Sequence, residues 1–254
     1  MQNCKICNST VSALFTEKVL NKYDVQYVQC TSCHFIQTEN PYWLNEAYQS
    51  AINNNDTGII ARNERFRKIV TVLISFMFGK EDKYLDYAGG YGIFTRMMRD
   101  VGFDYYWVDE YAKNLVSIGF EHKANTTYQA ITAFEVFEHL DNPKAKLEDM
   151  LRYSDTIIFS TELVPDNTPK QDWWYYAFTH GQHIAFYHKK SLEVLAKNYG
   201  LNLTSNGSNF HILSKKKISP LLFKLLYRGS KFGLYLFCKL GLQPKTFSDH
   251  KLMS

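Results

Sequence analysis

Leu85-Asp86-Tyr87-Ala88-Gly89-Gly90-Tyr91-Gly92 joins two segments of different periodicity. Before it, Tyr84 to Tyr87 reads as a short strand. After it, Ile93, Phe94, Met97, Met98 and Val101 share one helical face, and Gly102 stops the helix. Small residues in a strand-to-helix turn let the backbone pass close to a ligand. In open α/β sheets such turns lie at the carboxyl ends of the strands, where ligands bind.

The same alternation extends outward. Phe66, Ile69, Val70, Leu73 and Met77 place a helix over residues 58–78. Strands are predicted at Tyr105–Val108, Ala130–Phe134 and Thr156–Phe159. Asn142-Pro143 opens a helix to about Leu151, and Ser191 to Tyr199 forms another, with Gly200 behind it. Leu201–Thr204 and Phe210–Leu213 flank Asn206-Gly207, a hairpin signal. The pattern predicts an α/β fold: a doubly wound, mostly parallel sheet closed by an antiparallel hairpin.

Four of the five cysteines form two pairs, Cys4-x-x-Cys7 and Cys30-x-x-Cys33, with 22 residues between them. Each pair is a knuckle that can place two thiolates on one metal, and two knuckles complete a tetrahedral zinc site. Oxidoreductase chemistry accounts for one such pair but not for both. With all four positions filled by protein the zinc is expected to be structural. This predicts a small zinc-ribbon-like module over residues 1–50.

The glycine loop does not suit a dinucleotide. Counting from Gly90, G-x-G-x-x-G needs glycine where Thr95 stands. An acid ahead of the glycines suits a different ligand. Asp86 is placed to accept hydrogen bonds from the ammonium of a bound amino acid, directly or through water. Asp109 ends the next strand, where a carboxylate can take both hydroxyls of a ribose. Asp86-x-Ala88-x-Gly90-x-Gly92, with Asp109 downstream, resembles the nucleoside motif of class I S-adenosylmethionine methyltransferases. Thr132-Ala133-Phe134-Glu135-Val136-Phe137-Glu138-His139-Leu140 looks like the fourth-strand motif of that superfamily. With the double C-x-x-C front end, residues 1–215 are similar to zinc-containing methyltransferases of sugar and surface-polysaccharide pathways, including deoxysugar C-methyltransferases.

That resemblance implies a Rossmann-like methyltransferase fold that binds S-adenosylmethionine through Asp86, Ala88, Gly90, Gly92, Asp109 and Phe134. Asp56-Thr57-Gly58 and Arg62-Asn63 resemble a segment that covers the cofactor, with Arg62 on the methionyl carboxylate. The sequence departs from the family at Ala88, which replaces a glycine, and at Gln129, which replaces an acid. The short stretch from Asp109 to Gln129 implies a reduced third strand.

Methyl transfer to a hydroxyl or a carbon acid also needs a base. His139 follows the fourth strand, and His183 lies in an aromatic stretch from Trp173 to Tyr187 that reads as a lid or acceptor loop. The resemblance makes His183 the catalytic base, although Gln182 stands where relatives have Glu. Glu135 and His139 are further candidates.

Charge is uneven. From Lys215 onward eight lysines and Arg228 face only Asp249, a net +8, which leaves −4 for residues 1–214 of a chain carrying +4. A mildly acidic body argues against nucleic acid as partner, and no N-P-P-[YF] motif follows the fourth strand. The leading expectation is therefore a small-molecule acceptor, a sugar nucleotide or surface-glycan precursor. An RNA methyltransferase gripping RNA through the zinc module is the alternative, and a non-enzymatic scaffold is disfavoured by the intact loop acids and glycines. The N-terminus shows no secretory pattern and no apolar run nears the roughly 20 residues of a membrane span, so a cytoplasmic location is expected. The domains expected are 1–50 (zinc module), 51–80 (connecting helix), 81–214 (methyltransferase domain) and 215–254. The last is a basic amphipathic tail, docked on the body, on a second copy or on an anionic membrane.

Overall fold

The computed structural model describes residues 3–48 and 56–253. The ends of the expected zinc module (1–2 and 49–50) and Asn53-Asn54-Asn55 lie outside the described residues. The chain falls into two compact units that interleave along the sequence. The first comprises 3–48, 134–149 and 159–216, and the second 56–133, 150–158 and 217–253.

The first unit holds a four-stranded antiparallel sheet of order β1 (Val11–Val19), β2 (Tyr23–Cys30), β3 (Ile36–Thr38) and β8 (Ala185–Phe186). Strands β1 and β2 pair from Val11 opposite Cys30 to Val19 opposite Tyr23, with a bulge between Ala13 and Phe15. The short helix α1 (Leu44–Ala47) follows β3. The unit also contains α4 (Pro143–Leu151) up to Asp149, α5 (Lys189–Asn198) and the hairpin β9 (Asn202–Ser205) and β10 (Phe210–Ser214). Asn206 makes that turn: its Oδ1 accepts from the N–H groups of Ser208, Asn209 and Phe210.

The second unit opens with α2 (Ile59–Met77), followed by β4 (Lys83–Tyr87), α3 (Ile93–Val101), β5 (Asp104–Val108) and β6 (Ala130–Ala133). Strand β4 lies parallel to both β5 and β6, with Asp86 opposite Trp107 on one side and Thr132 on the other. Strand β7 (Thr156–Ser160) continues the series, and the six-stranded sheet has the order β5-β4-β6-β7-β10-β9. This is the mostly parallel sheet with a terminal hairpin that the sequence predicts. The β4 and β5 strands are aromatic, and Tyr84 stacks on Tyr105 at 5.5 Å while Phe94 of α3 meets Tyr105 edge-on at 5.7 Å. The expected third strand is indeed reduced: Trp107 and Glu121 form a single parallel bridge.

The tail forms three helices, α6 (Pro220–Gly229), α7 (Leu234–Leu240) and α8 (Thr246–Met253). Ser219 caps α6 through its hydroxyl, with Pro220 at the first helical position. Both α6 and α7 pack on α2, and Phe223, Leu226 and Tyr235 are buried, so the tail docks within its own unit.

Two expectations change on folding. Trp173–Tyr187 is not a free lid. Tyr175, Tyr176, Ile184, Phe186 and Tyr187 are buried, and all but Tyr187 join Val19, Tyr27, Ile36 and Trp43 in the first unit's core, while Trp174 is left 71% exposed. The irregular periodicity reflects a 3-10 turn followed by the two-residue strand β8, too short to show alternation. And residues 185–186 complete the sheet of the N-terminal module by pairing with β3, which no local pattern signals.

Candidate cofactor and acceptor sites

In the second unit, the β4–α3 loop is built on left-handed backbone. Ala88, Gly90 and Gly92 have φ of 54°, 54° and 86°. Gly92 is obligatory there, since a Cβ would stand 2.6 Å from Asn114 Oδ1. At Gly90 a Cβ would meet nothing within 4 Å, so the loop keeps open space at its tip. Ala88 adopts the left-handed conformation despite its methyl, at a cost of about 1 kcal/mol or more.

The two acids of the loop do different work. Asp86 is buried and accepts from the hydroxyls of Thr132 (2.9 Å) and Thr95 (3.2 Å). Burial pushes its pKa up to about 7, the two hydroxyls oppose that, and the charge of Asp109 adds to it. Asp109 is half-buried. Its Oδ2 accepts from Gly90 N–H at 2.9 Å, and its Oδ1 from the N–H groups of Tyr111 and Ala112, both at 2.7 Å. Trp107 Nε1 donates to Gly90 O at 2.9 Å and ties β5 to the same loop. Asp86, Ala88, Gly90, Gly92 and Asp109 are thus brought together as the sequence expects. Thr95, Thr132 and Trp107, which hold them, were not read from the sequence; Thr95 was noted only for failing the dinucleotide pattern. Arg62 closes its guanidinium fork on Asp56, at 2.9 and 2.5 Å.

The remaining candidates lie in the first unit. Phe134 packs against Phe210, with ring centroids 5.9 Å apart. Glu135 sits at φ 54°, its N–H donating to Ser160 Oγ and its Oε1 accepting from the same hydroxyl at 2.6 Å. His139 Nδ1 faces Gln182 O and Tyr48 Oη, each at 3.0 Å, and burial of the ring lowers its pKa to about 4. His183 Nδ1 lies 2.7 Å from Tyr175 O. A carbonyl only accepts, so Nδ1 carries the proton and Nε2 holds the lone pair. The two rings meet edge to face with centroids 5.1 Å apart.

Glu138, beside His139 in the chain, is fully buried, and a carboxylate oxygen lies within 4.8 Å of a ring nitrogen of each histidine. Burial, reinforced by the charge of Glu135, raises its pKa to about 8. The only sequence signal was its spacing: Glu135 and Glu138 stand three apart at the start of a short turn, next to His139.

The four cysteines also converge in this unit. Cys4 and Cys33 sulfurs lie 3.6 Å apart and Cys7 and Cys30 sulfurs 3.4 Å, all four thiols free. A tetrahedral ion bonded at about 2.3 Å requires sulfurs roughly 3.8 Å apart. The two knuckles match: Asn8 (φ 62°) and His34 (φ 61°) each follow a second cysteine and return their N–H to the carbonyl of the first, Cys4 and Cys30. The N–H groups of Ile6 and Ser32 point at the sulfurs of Cys4 and Cys30.

Residues 61–206 match the family described as Methyltransferase domain, more than half of the chain, and the chain belongs to that family. It is an S-adenosylmethionine-dependent methyltransferase of Rossmann-like fold. Among solved structures it is similar to magnesium protoporphyrin IX methyltransferase (ChlM) from Synechocystis PCC 6803 with bound SAM, at 12% identity over 67% of this chain and 87% of that one, TM-score 0.41. It is also similar to an O-methyltransferase family protein from Burkholderia thailandensis, at 11% identity over 70% and 68%, TM-score 0.43. A third likeness is OxaC in complex with SAH and oxaline, at 14% identity over 61% and 47%, TM-score 0.44, so the chain spans about half the length of OxaC. No curated protein matches the chain.

Proposed function

We propose that the chain transfers the methyl group of S-adenosylmethionine to a small-molecule acceptor, a sugar nucleotide or surface-glycan precursor. The observation that carries the cofactor assignment is the β4–α3 loop, with open backbone at Gly90 directly beside the Asp109 carboxylate. Asp109 serves the ribose hydroxyls, Asp86 the methionyl ammonium, and Arg62 the carboxylate, exchanging Asp56 for it. The acceptor class is supported by the four-cysteine cluster ahead of the methyltransferase domain and by the acidic body. The cysteines suit structural zinc, which supplies folding energy and no chemistry.

The proton-handling group of the acceptor side is the Glu135–Glu138–His139–His183 region, with His183 Nε2 as the base in the metal-free chain. Support comes from the tautomer fixed by Tyr175 O. The cationic tail is proposed to contact an anionic membrane surface.

Calorimetry tests the cofactor and labelled-methyl transfer tests the acceptor. S-adenosylmethionine is expected to bind and NAD not to bind. Asp109→Ala should weaken binding by about 1.5–3 kcal/mol per charged hydrogen bond lost. Label should enter a nucleotide-sugar pool and not RNA. His183→Ala should keep cofactor affinity and lower turnover on the order of 10²–10⁴-fold. Unchanged affinity in Asp109→Ala removes that residue from the site, and label in RNA overturns the acceptor class.

A further inference from the structure

We propose that Glu138, His139 and His183 form a binding site for one divalent transition-metal ion, separate from the four-cysteine cluster. One ligand-capable atom from each of the three residues lies within 4.8 Å of the others. The donor set is two imidazoles and one carboxylate, which suits Mn²⁺, Fe²⁺, Co²⁺ or Zn²⁺ and is unlike the all-thiolate set at the cysteines.

Three independent features make this more than a cluster of polar residues. The first is Glu138. Its side chain is fully buried, and neither carboxylate oxygen has a hydrogen-bond partner. The hydroxyls of Tyr175 and Thr161 are near enough to influence it. Those hydroxyls also meet each other, at 3.2 Å, and Tyr175 Oη accepts from Glu162 N–H at 3.1 Å. A buried carboxylate with no partner is costly unless a cation or a proton satisfies it.

The second feature is the orientation of the rings. Both histidines turn Nδ1 to a backbone carbonyl, His183 to Tyr175 O and His139 to Gln182 O. Metal-binding histidines are held in this way: the second ring nitrogen donates to a carbonyl or carboxylate, which fixes the tautomer and leaves Nε2 for the ion.

The third feature is rigidity. Ile184 N–H donates to Glu138 O at 2.9 Å, Tyr187 Oη donates to Phe137 O at 3.0 Å, and Gln182 Nε2 donates to Ala47 O at 2.7 Å. The first two bonds tie together the segments that supply the ligands and the third anchors one of them to α1, and a site so held keeps its ligands in place before the ion arrives.

Three protein ligands leave coordination positions open, as in catalytic and not structural metal centres. An oxygen of the acceptor is the ligand class that fits, a role that rests on the methyl-transfer reading; ion binding itself does not. An ion bound through His183 Nε2 takes the lone pair that the base role requires. With the ion bound, the acceptor oxygen would be polarised so that its proton passes to solvent water and not to His183.

The test uses the full chain with its zinc content measured first. Mn²⁺ is titrated without cofactor, and the free Mn²⁺ signal is followed by electron paramagnetic resonance. One Mn²⁺ per chain is expected to bind, with the ring resonances of His139 and His183 broadened in NMR spectra. Glu138→Gln and His139→Gln should each weaken binding ~10-fold or more, with zinc content and circular dichroism unchanged. Glu138→Asp should recover part of the affinity. If wild type binds no Mn²⁺, or if Glu138→Gln binds it as wild type does while folded, the site is refuted. S-adenosylmethionine affinity, measured in metal-free buffer, reports on the methyltransferase reading separately.

Discussion

Asp86 links the stability of the loop to the cofactor site proposed for it. Its hydroxyl partners, Thr95 and Thr132, stabilise the charge, but burial outweighs them and the pKa rises to about 7. A carboxyl whose folded pKa lies above its free value holds its proton more tightly folded than unfolded. Its contribution to stability is therefore complete below the ordinary carboxylate range and is lost as pH rises through about 7. The ligand-free protein should unfold more easily in urea at about pH 8 than at about pH 5 on this account, and Asp86→Asn should flatten that slope. Cofactor affinity should move the other way, rising with pH as the carboxylate forms to meet an ammonium, and falling overall in Asp86→Asn. An unaltered pH slope in the variant would exclude Asp86 as its source. The sequence made Asp86 and Asp109 legible because an acid at the end of a strand is a local pattern. Thr95 and Thr132 were not, because their role comes from strand pairing and a helix start that bring distant hydroxyls to one carboxylate.

At the level of elements, α6 and α7 show what amphipathic patterning predicts and what it leaves open. Phe223, Leu226, Tyr235 and Cys238 are buried, whereas Leu221, Leu225, Phe232, Leu236, Phe237 and Leu240 are exposed. Lys224, Arg228, Lys231 and Lys239 are exposed among them. A second copy would bring like charges together, and like charges in contact are unfavourable. An anionic lipid surface offers the opposite charge and takes up apolar side chains. Co-sedimentation with vesicles containing anionic lipid should decrease as salt rises and on the double change Phe232→Ser, Phe237→Ser. It should be absent with neutral vesicles. Salt-independent self-association in sedimentation velocity, with no vesicle binding, would refute the lipid reading in favour of a second copy. A 1–214 truncation is unsuitable for this test because α6 and α7 cover α2. Elements with long periodicity, such as α2 and α3, were legible to within a residue or two. The strand β8 was not, since two residues carry no period and its partner β3 lies about 150 residues away.

For the whole molecule, what the sequence could not convey is how the chain returns on itself. Each compact unit draws on three separated stretches. The tail shows the physical cause most clearly, because its last helix is held by charge. Asp249 of α8 accepts from Arg99 Nε at 2.8 Å and Nη2 at 2.7 Å, and from Arg96 Nη2 at 2.8 Å. Arg99 and Asp249 are only 3% and 2% exposed. Arg99 also donates to Tyr105 O at 3.0 Å and lies over the Phe120 ring, 3.6 Å from its centroid. In sequence, Asp249 was only the single acid of a cationic tail, and Arg99 only a cation near the end of α3. Neither suggests a buried pair across 150 residues. Two arginines hold the Asp249 carboxyl below its usual range despite its burial. Its contribution to stability is present above the ordinary carboxylate pKa and is lost only as pH falls through the lowered value. Asp249→Asn should leave the buried Arg99 with Asp104, 3.2 Å from its Nη1, as its remaining counter-charge and cost about 3 kcal/mol in urea unfolding at neutral pH. The double change Arg99→Met, Asp249→Leu should recover much of that loss, because a well-packed apolar pair avoids burying charge. Native-state hydrogen exchange should show α8 released first in Asp249→Asn while the amides of β4 and β5 stay protected. If Asp249→Asn is as stable as wild type, the ion pair does not hold the tail, and the apolar contacts of α6 and α7 with α2 are what dock it.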